Sequence, residues 1–195
     1  ANGEYPLGRV IYGRKNRTAF GLRESDWIQH VGIFGRTGSG KTNVGMTVLK
    51  NFLAKSKPFL IFDWKRNYRD ILQWPESKGV RVYTVGRDIV PFRFNPLIPP
   101  QGTLLTTWLK KLIEIMCHVY WLGEGVAYLL QKAIDQTYQS FGAYSLAPKR
   151  WPTLADVQEW LIAYKAKGRE AQWMDSTLRV IGTLCFGEVG NVLNP

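Results

Sequence analysis

Gly35-Arg36-Thr37-Gly38-Ser39-Gly40-Lys41-Thr42 stands between an apolar run, Val31-Gly32-Ile33-Phe34, and a segment that carries Val48, Leu49, Phe52 and Leu53 on one helical face. The eight residues fill the pattern G-x-x-x-x-G-K-[ST], and the flanking strand and helix are the context which that pattern needs. Its chemistry follows from the residue types. Glycines let the backbone curl so that successive N–H groups point inward at phosphate oxygens, and a helix N-terminus adds partial positive charge. Lys41 is placed to reach β- and γ-phosphates, and the Thr42 hydroxyl to complete the shell of a Mg²⁺ ion. Gly35, Arg36, Thr37, Gly38, Ser39, Gly40, Lys41, Thr42 and Asn43 are therefore the expected binding residues for ATP with Mg²⁺, with Lys41 and Thr42 the catalytic pair. A glycine-rich turn with an incidental Lys-Thr is the bland alternative.

Downstream, the helix opened at Lys41 must end before Pro58. Phe59-Leu60-Ile61-Phe62 is a short continuous apolar run, as in a strand covered on both faces of a parallel sheet, and Asp63 ends it. Asp63 is a candidate metal-site residue beside Thr42, or else a structural partner of Lys65 or Arg66. Val80-Arg81-Val82-Tyr83-Thr84-Val85 alternates as a strand does, and Pro91 to Pro100 is too rich in proline for helix. Upstream, Val10 to Tyr12 and Ala19 to Leu22 read as short strands joined by the polar turn Gly13 to Arg17. The pattern predicts an α/β fold with a βαβ, parallel-sheet core over residues 1–97, the P-loop NTPase architecture that the glycine-rich motif implies.

From about Thr103 the period becomes helical. Leu105, Trp108, Leu109, Leu112, Met116 and Val119 mark one helix, and Val126, Leu129, Leu130, Ala133, Ile134, Thr137 and Phe141 a second. Thr153, with Asp156 three residues on, opens a third. A fourth spans about Glu170 to Cys185 with Met174, Thr177, Leu178, Ile181 and Leu184 inward, before glycine returns at Gly187 and Gly190. Residues 98–195 thus read as a helical insertion subdomain.

The chain has 195 residues, 45% of them hydrophobic, enough for one sizeable core. Its net charge of +11 is concentrated in front, with 17 Lys+Arg against 7 Asp+Glu in residues 1–97 and 9 against 8 in residues 98–195. Such a balance favours anionic partners such as nucleic acid, although surface lysines also serve solubility. Cys117, Cys185, His30 and His118 are too scattered for a multi-cysteine metal site and read as reduced thiols and ordinary histidines. Trp64, Trp108 and Trp151 each lie near basic residues, a mixture that can stack bases and grip phosphates; Trp108, Trp160 and Trp173 also fall on apolar helix faces, where core packing is the commoner use. No apolar run reaches membrane-spanning length and no leader precedes the first strand, so a soluble, cytoplasmic protein is expected; a start at Ala1 rather than Met reads as trimmed.

Gln29-His30-Val31-Gly32-Ile33-Phe34, continuing through the glycine-rich loop to Asn43, resembles the corresponding strand and loop of the HerA/FtsK superfamily of P-loop ATPases, in its archaeal helicase-like and conjugative DNA-transfer branch. Phe62-Asp63-Trp64-Lys65 is similar to the Asp-x-Lys that ends that superfamily's second strand. Phe94-Asn95-Pro96-Leu97 is similar to the Asn-Pro-Leu before its helical insertion. The resemblance implies a hexameric motor that pumps double-stranded DNA with ATP bound between subunits. It also implies a Walker B strand, a sensor and an arginine finger, which no segment up to Pro195 matches; the expectation is a fragment that binds nucleotide and hydrolyses it poorly. The alternatives are a nucleotide-regulated module that binds nucleic acid or a partner without hydrolysis, and a P-loop small-molecule kinase.

Overall fold

The computed structural model describes residues 3–87, 89–145 and 148–195, the side chains of Asn16 and Arg17 aside. It is an α/β chain of helices with one small two-stranded sheet, and it divides into two compact units, residues 1–82 and 83–195.

In the first unit, β1 (Tyr5–Tyr12) pairs antiparallel with β2 (Lys15–Leu22). Both strands are longer than the apolar residues alone predict, because the polar and glycine positions between them also join the ladder. Register shifts between Pro6 and Gly8 and between Arg9 and Ile11 bend the hairpin. Helix α1 (Lys41–Ala54) is anchored to it at its C-terminal half. Tyr5, Trp27 and Phe52 meet edge to face with centroids 5.1 to 5.6 Å apart, and Asn51 Nδ2 donates to Pro6 O at 2.8 Å. The Tyr5 hydroxyl donates to Glu24, which also receives Lys57 Nζ at 2.7 Å. Those two donors, Lys57 first, hold the Glu24 carboxyl below its ordinary range, and the bond to Glu24 together with burial pushes Tyr5 up to about 12.

The expected parallel sheet is absent among the described residues. Val31–Phe34 and Phe59–Phe62 run without a ladder partner, and Phe34 and Phe62 are 92% and 90% exposed. Thr84, from the third expected strand, stands in an isolated parallel bridge with Pro91 and not in a ladder of a sheet. A strand exists by virtue of its neighbours' N–H and C=O groups, and no described segment supplies them to these runs.

The second unit is helical: α2 (Leu105–Tyr120), α3 (Glu124–Ser140), α4 (Leu154–Ala163), α5 (Arg169–Cys185) and α6 (Gly187–Leu193). The periodic residues do what their spacing demands. Leu109, Leu112, Met116, Leu129, Leu130, Ala133, Ile134, Leu154, Val157, Leu161 and Ile181 share one buried cluster, with Trp151, Trp160 and Trp173 packed against it. Val119, on the expected face of α2, is instead 62% exposed, and Ile113 is buried in its place. Asp156 fixes the start of α4 by accepting Thr153 N–H at 2.7 Å. Helix α5 ends at Cys185, where the sequence places its end, and Gly187 and Gly190 lie in the short α6 that follows; Gly190 fits against the Cys185 carbonyl, where a side chain has no room.

The unit is tied together at Asn95-Pro96-Leu97. Buried Asn95 donates through Nδ2 to Pro152 O at 2.8 Å and accepts Leu97 N–H at 3.0 Å. Pro96 O receives Trp108 Nε1–H and Leu97 O receives the Tyr138 hydroxyl, both at 2.8 Å. Burial of polar groups at this density is tolerable because each finds a partner.

Candidate nucleotide-binding site

The loop before α1 is curled by Gly38 and Gly40, whose φ values of +80° and +87° lie in the left-handed region that a side chain disfavours. Ser39 N–H closes a turn onto Arg36 O at 3.2 Å. Gly35 is required for closeness, because a Cβ there would lie 2.4 Å from Ser39 Oγ. Lys41 folds back over this turn and donates from Nζ to Gly35 O at 2.7 Å and to Arg36 O at 2.8 Å. An ammonium has three N–H donors. Two are fixed on the loop's own first carbonyls, and the third makes no bond within the described residues.

Gly40 caps α1 without a side-chain hydrogen bond, so the main-chain N–H groups of Lys41, Thr42 and Asn43 keep the orphan status of any helix start. They supply donors and the positive end of the helix dipole at the same place. The Thr42 hydroxyl, at the second position of α1, bonds to no other described residue. Gly35 to Ser39 are exposed, and Gly40, Lys41 and Thr42 are half-buried. The arrangement can hold an anion with several oxygens by main-chain N–H groups and one ammonium, and the donor set fits a polyphosphate with a hard cation at Thr42.

Asp63 occupies a different kind of place. Its Oδ1 accepts Asn67 N–H and its Oδ2 accepts Tyr68 N–H, each at 3.0 Å, so both carboxylate oxygens brace the loop that follows. Neither Lys65 nor Arg66 pairs with it. A residue that sequence reasoning missed stands at the end of that brace: the Tyr68 hydroxyl lies against Gly45 of α1, where a Cβ would be only 2.5 Å away. The signal was present in Gly45 itself, a helix-interior glycine, which costs about 1 kcal/mol against alanine unless something needs the space.

Of the tryptophans near basic residues, Trp108 and Trp151 are half-buried, and Trp64 is 96% exposed. Among the described residues, no helix is long and apolar enough to cross a membrane. Cys117 and Cys185 are free thiols raised in pKa by burial.

Among known families, the model of the helicase HerA central domain matches residues 5–110, a span that takes in the hairpin, the glycine-rich loop, Asp63 and Asn95-Pro96-Leu97. No curated protein and no solved structure matches the chain. With more than half of its length covered by that match, the chain belongs to the HerA central-domain family of P-loop ATPases.

Proposed function

We propose that this chain binds ATP with Mg²⁺ at Gly35 to Asn43 and is the nucleotide-binding part of a DNA-translocating motor. The observation that carries the reading is the Lys41 ammonium held by Gly35 O and Arg36 O over a loop curled at Gly38 and Gly40. In this reading the third N–H of Lys41 meets the β- and γ-phosphates, and the main-chain N–H groups of Gly38, Gly40, Lys41 and Thr42 enclose the rest of the triphosphate. Thr42 supplies a hydroxyl to the metal, and Asp63 reaches the metal's water shell while bracing its own loop. Bound there, Mg²⁺ would neutralise charge that builds on the phosphate oxygens during transfer. The unpaired runs Val31–Phe34 and Phe59–Phe62 are strands of a RecA-like parallel sheet that forms in the assembled protein, and residues 98–195 are a helical insertion in that core. The motor is a homo-hexamer acting on double-stranded DNA, a reading supported by family membership and by the basic excess of residues 1–97.

Binding of a fluorescent ATP analogue to the wild type and to Lys41→Ala tests the site. Removing a charged donor to phosphate should weaken binding by at least about tenfold. Equal affinity refutes the assignment. A nucleic-acid or partner-binding module without hydrolysis is favoured only by the charge balance, and a salt titration addresses it, since phosphate contacts weaken steeply with ionic strength.

A further inference from the structure

Trp64 is 96% exposed on a loop that is anything but loose. Asp63 accepts Asn67 N–H and Tyr68 N–H with its two carboxylate oxygens, Arg66 N–H bonds back to Asp63 O at 3.3 Å, and Trp64 N–H to Phe62 O at 3.2 Å. Arg66 takes a left-handed turn at φ +58°, which adds to the constraint on the chain path. Lys65 and Arg66 are exposed and outside every ion pair formed among the described residues. An indole held out in solvent by a braced turn, with two cations beside it that lie outside every described ion pair, presents an aromatic face and positive charge together.

From this juxtaposition we infer that the Phe62–Arg66 turn is a contact for unpaired nucleic acid, with Trp64 stacking on an exposed base and Lys65 and Arg66 on the flanking phosphates. The inference rests on the reading of the chain as part of a DNA motor and adds to it one surface that meets a strand which has left the duplex. A base can lie flat on an indole only where it has left its own stack, so the turn selects single strands over duplex. Charge complementarity favours a polyanion over an apolar protein face. The braces on the loop also mean that little ordering cost is added on binding.

The test is fluorescence anisotropy of a labelled oligo-dT and of a duplex of equal length, each titrated with wild type, Trp64→Ala, Trp64→Phe and a Lys65→Ala/Arg66→Ala double variant. Because the indole is exposed, the folded state should survive these changes, and an unchanged circular dichroism melt checks that. Trp64→Ala should bind oligo-dT about tenfold more weakly, and Trp64→Phe should keep most of the affinity. The double variant should lower the slope of log affinity against log salt by roughly 1.4, two phosphates' worth on a single strand. Wild type and Trp64→Ala binding oligo-dT equally would overturn the inference and leave the motor reading standing. A Trp64→Ala chain that binds DNA normally but changes its sedimentation would also overturn it, marking the turn as a protein contact. Wild type that binds neither oligonucleotide at low salt would remove the DNA reading itself.

Discussion

Gly45 shows how a single position can carry two requirements. In a free helix, alanine there would add about 1 kcal/mol of stability. Here its Cβ would lie 2.5 Å from the Tyr68 hydroxyl oxygen and 3.2 Å from the ring. Gly45→Ala should therefore destabilise the first unit, by about 1–3 kcal/mol, the usual range for overpacking. In a Tyr68→Phe background the closest clash is gone and the same change should cost much less, a coupling that a double-mutant cycle in urea measures directly. Asn95 is the corresponding position in the second unit. Asn95→Ala leaves Pro152 O and Leu97 N–H without their partner, and a loss of about 1–3 kcal/mol in a denaturation curve is expected. The curl at Gly38 and Gly40 was legible in the sequence because it depends on local backbone geometry. Asp63's bonds to Asn67 and Tyr68 were not, since an aspartate after an apolar run fits a metal site and a turn brace equally well.

Among the elements, α3, α4 and α5 are joined by a polar knot as well as by the core. Lys132 of α3 donates to Glu170 of α5 at 2.8 Å and to the Tyr164 hydroxyl at 2.7 Å, and Tyr164 donates to Glu170 at 2.5 Å while stacking on Trp160 of α4 at 4.7 Å. Glu170 is held below its ordinary value of 4.5, first by the bond from Lys132 and then by that from Tyr164. Its folded pKa is the lower one, so its contribution to stability is whole above that ordinary value and disappears as pH falls through the folded value. Lys132 is raised, chiefly by Glu170, so its contribution is whole below the ordinary lysine value and is lost as pH climbs through the folded one. Glu170→Gln should lower the melting temperature at neutral pH and flatten the acid limb of a melting-temperature profile, and an unchanged acid limb would show that the knot contributes nothing. Helices α2, α3 and α5 were readable from period because each buries a stripe against the same cluster, and α4 from its start at Thr153 and Asp156. The sheet was not found where sequence placed it, because an apolar run specifies that a strand could form and says nothing of which segment lies beside it.

For the whole molecule, burial is unevenly shared. Of the buried apolar residues among those described, Tyr5, Leu49 and Ile71 belong to the first unit and the other sixteen to the second. Local stability follows buried apolar contact, so amide hydrogen exchange should be slow through α3 and fast through residues 31–34 and 59–62. Slow exchange in those two runs would mean that they are already paired in solution. Ile181→Ala, at a fully buried point of the larger cluster, should cost about 2–5 kcal/mol in the helical unit. The bare edges at Val31–Phe34 and Phe59–Phe62 also have a practical side. Backbone amides in apolar runs without a ladder partner are templates for any other extended chain. Concentrated solutions of this polypeptide should accordingly deposit intermolecular β-structure, visible as thioflavin fluorescence, and a lysine placed at Ile33 or Leu60 should keep it in solution.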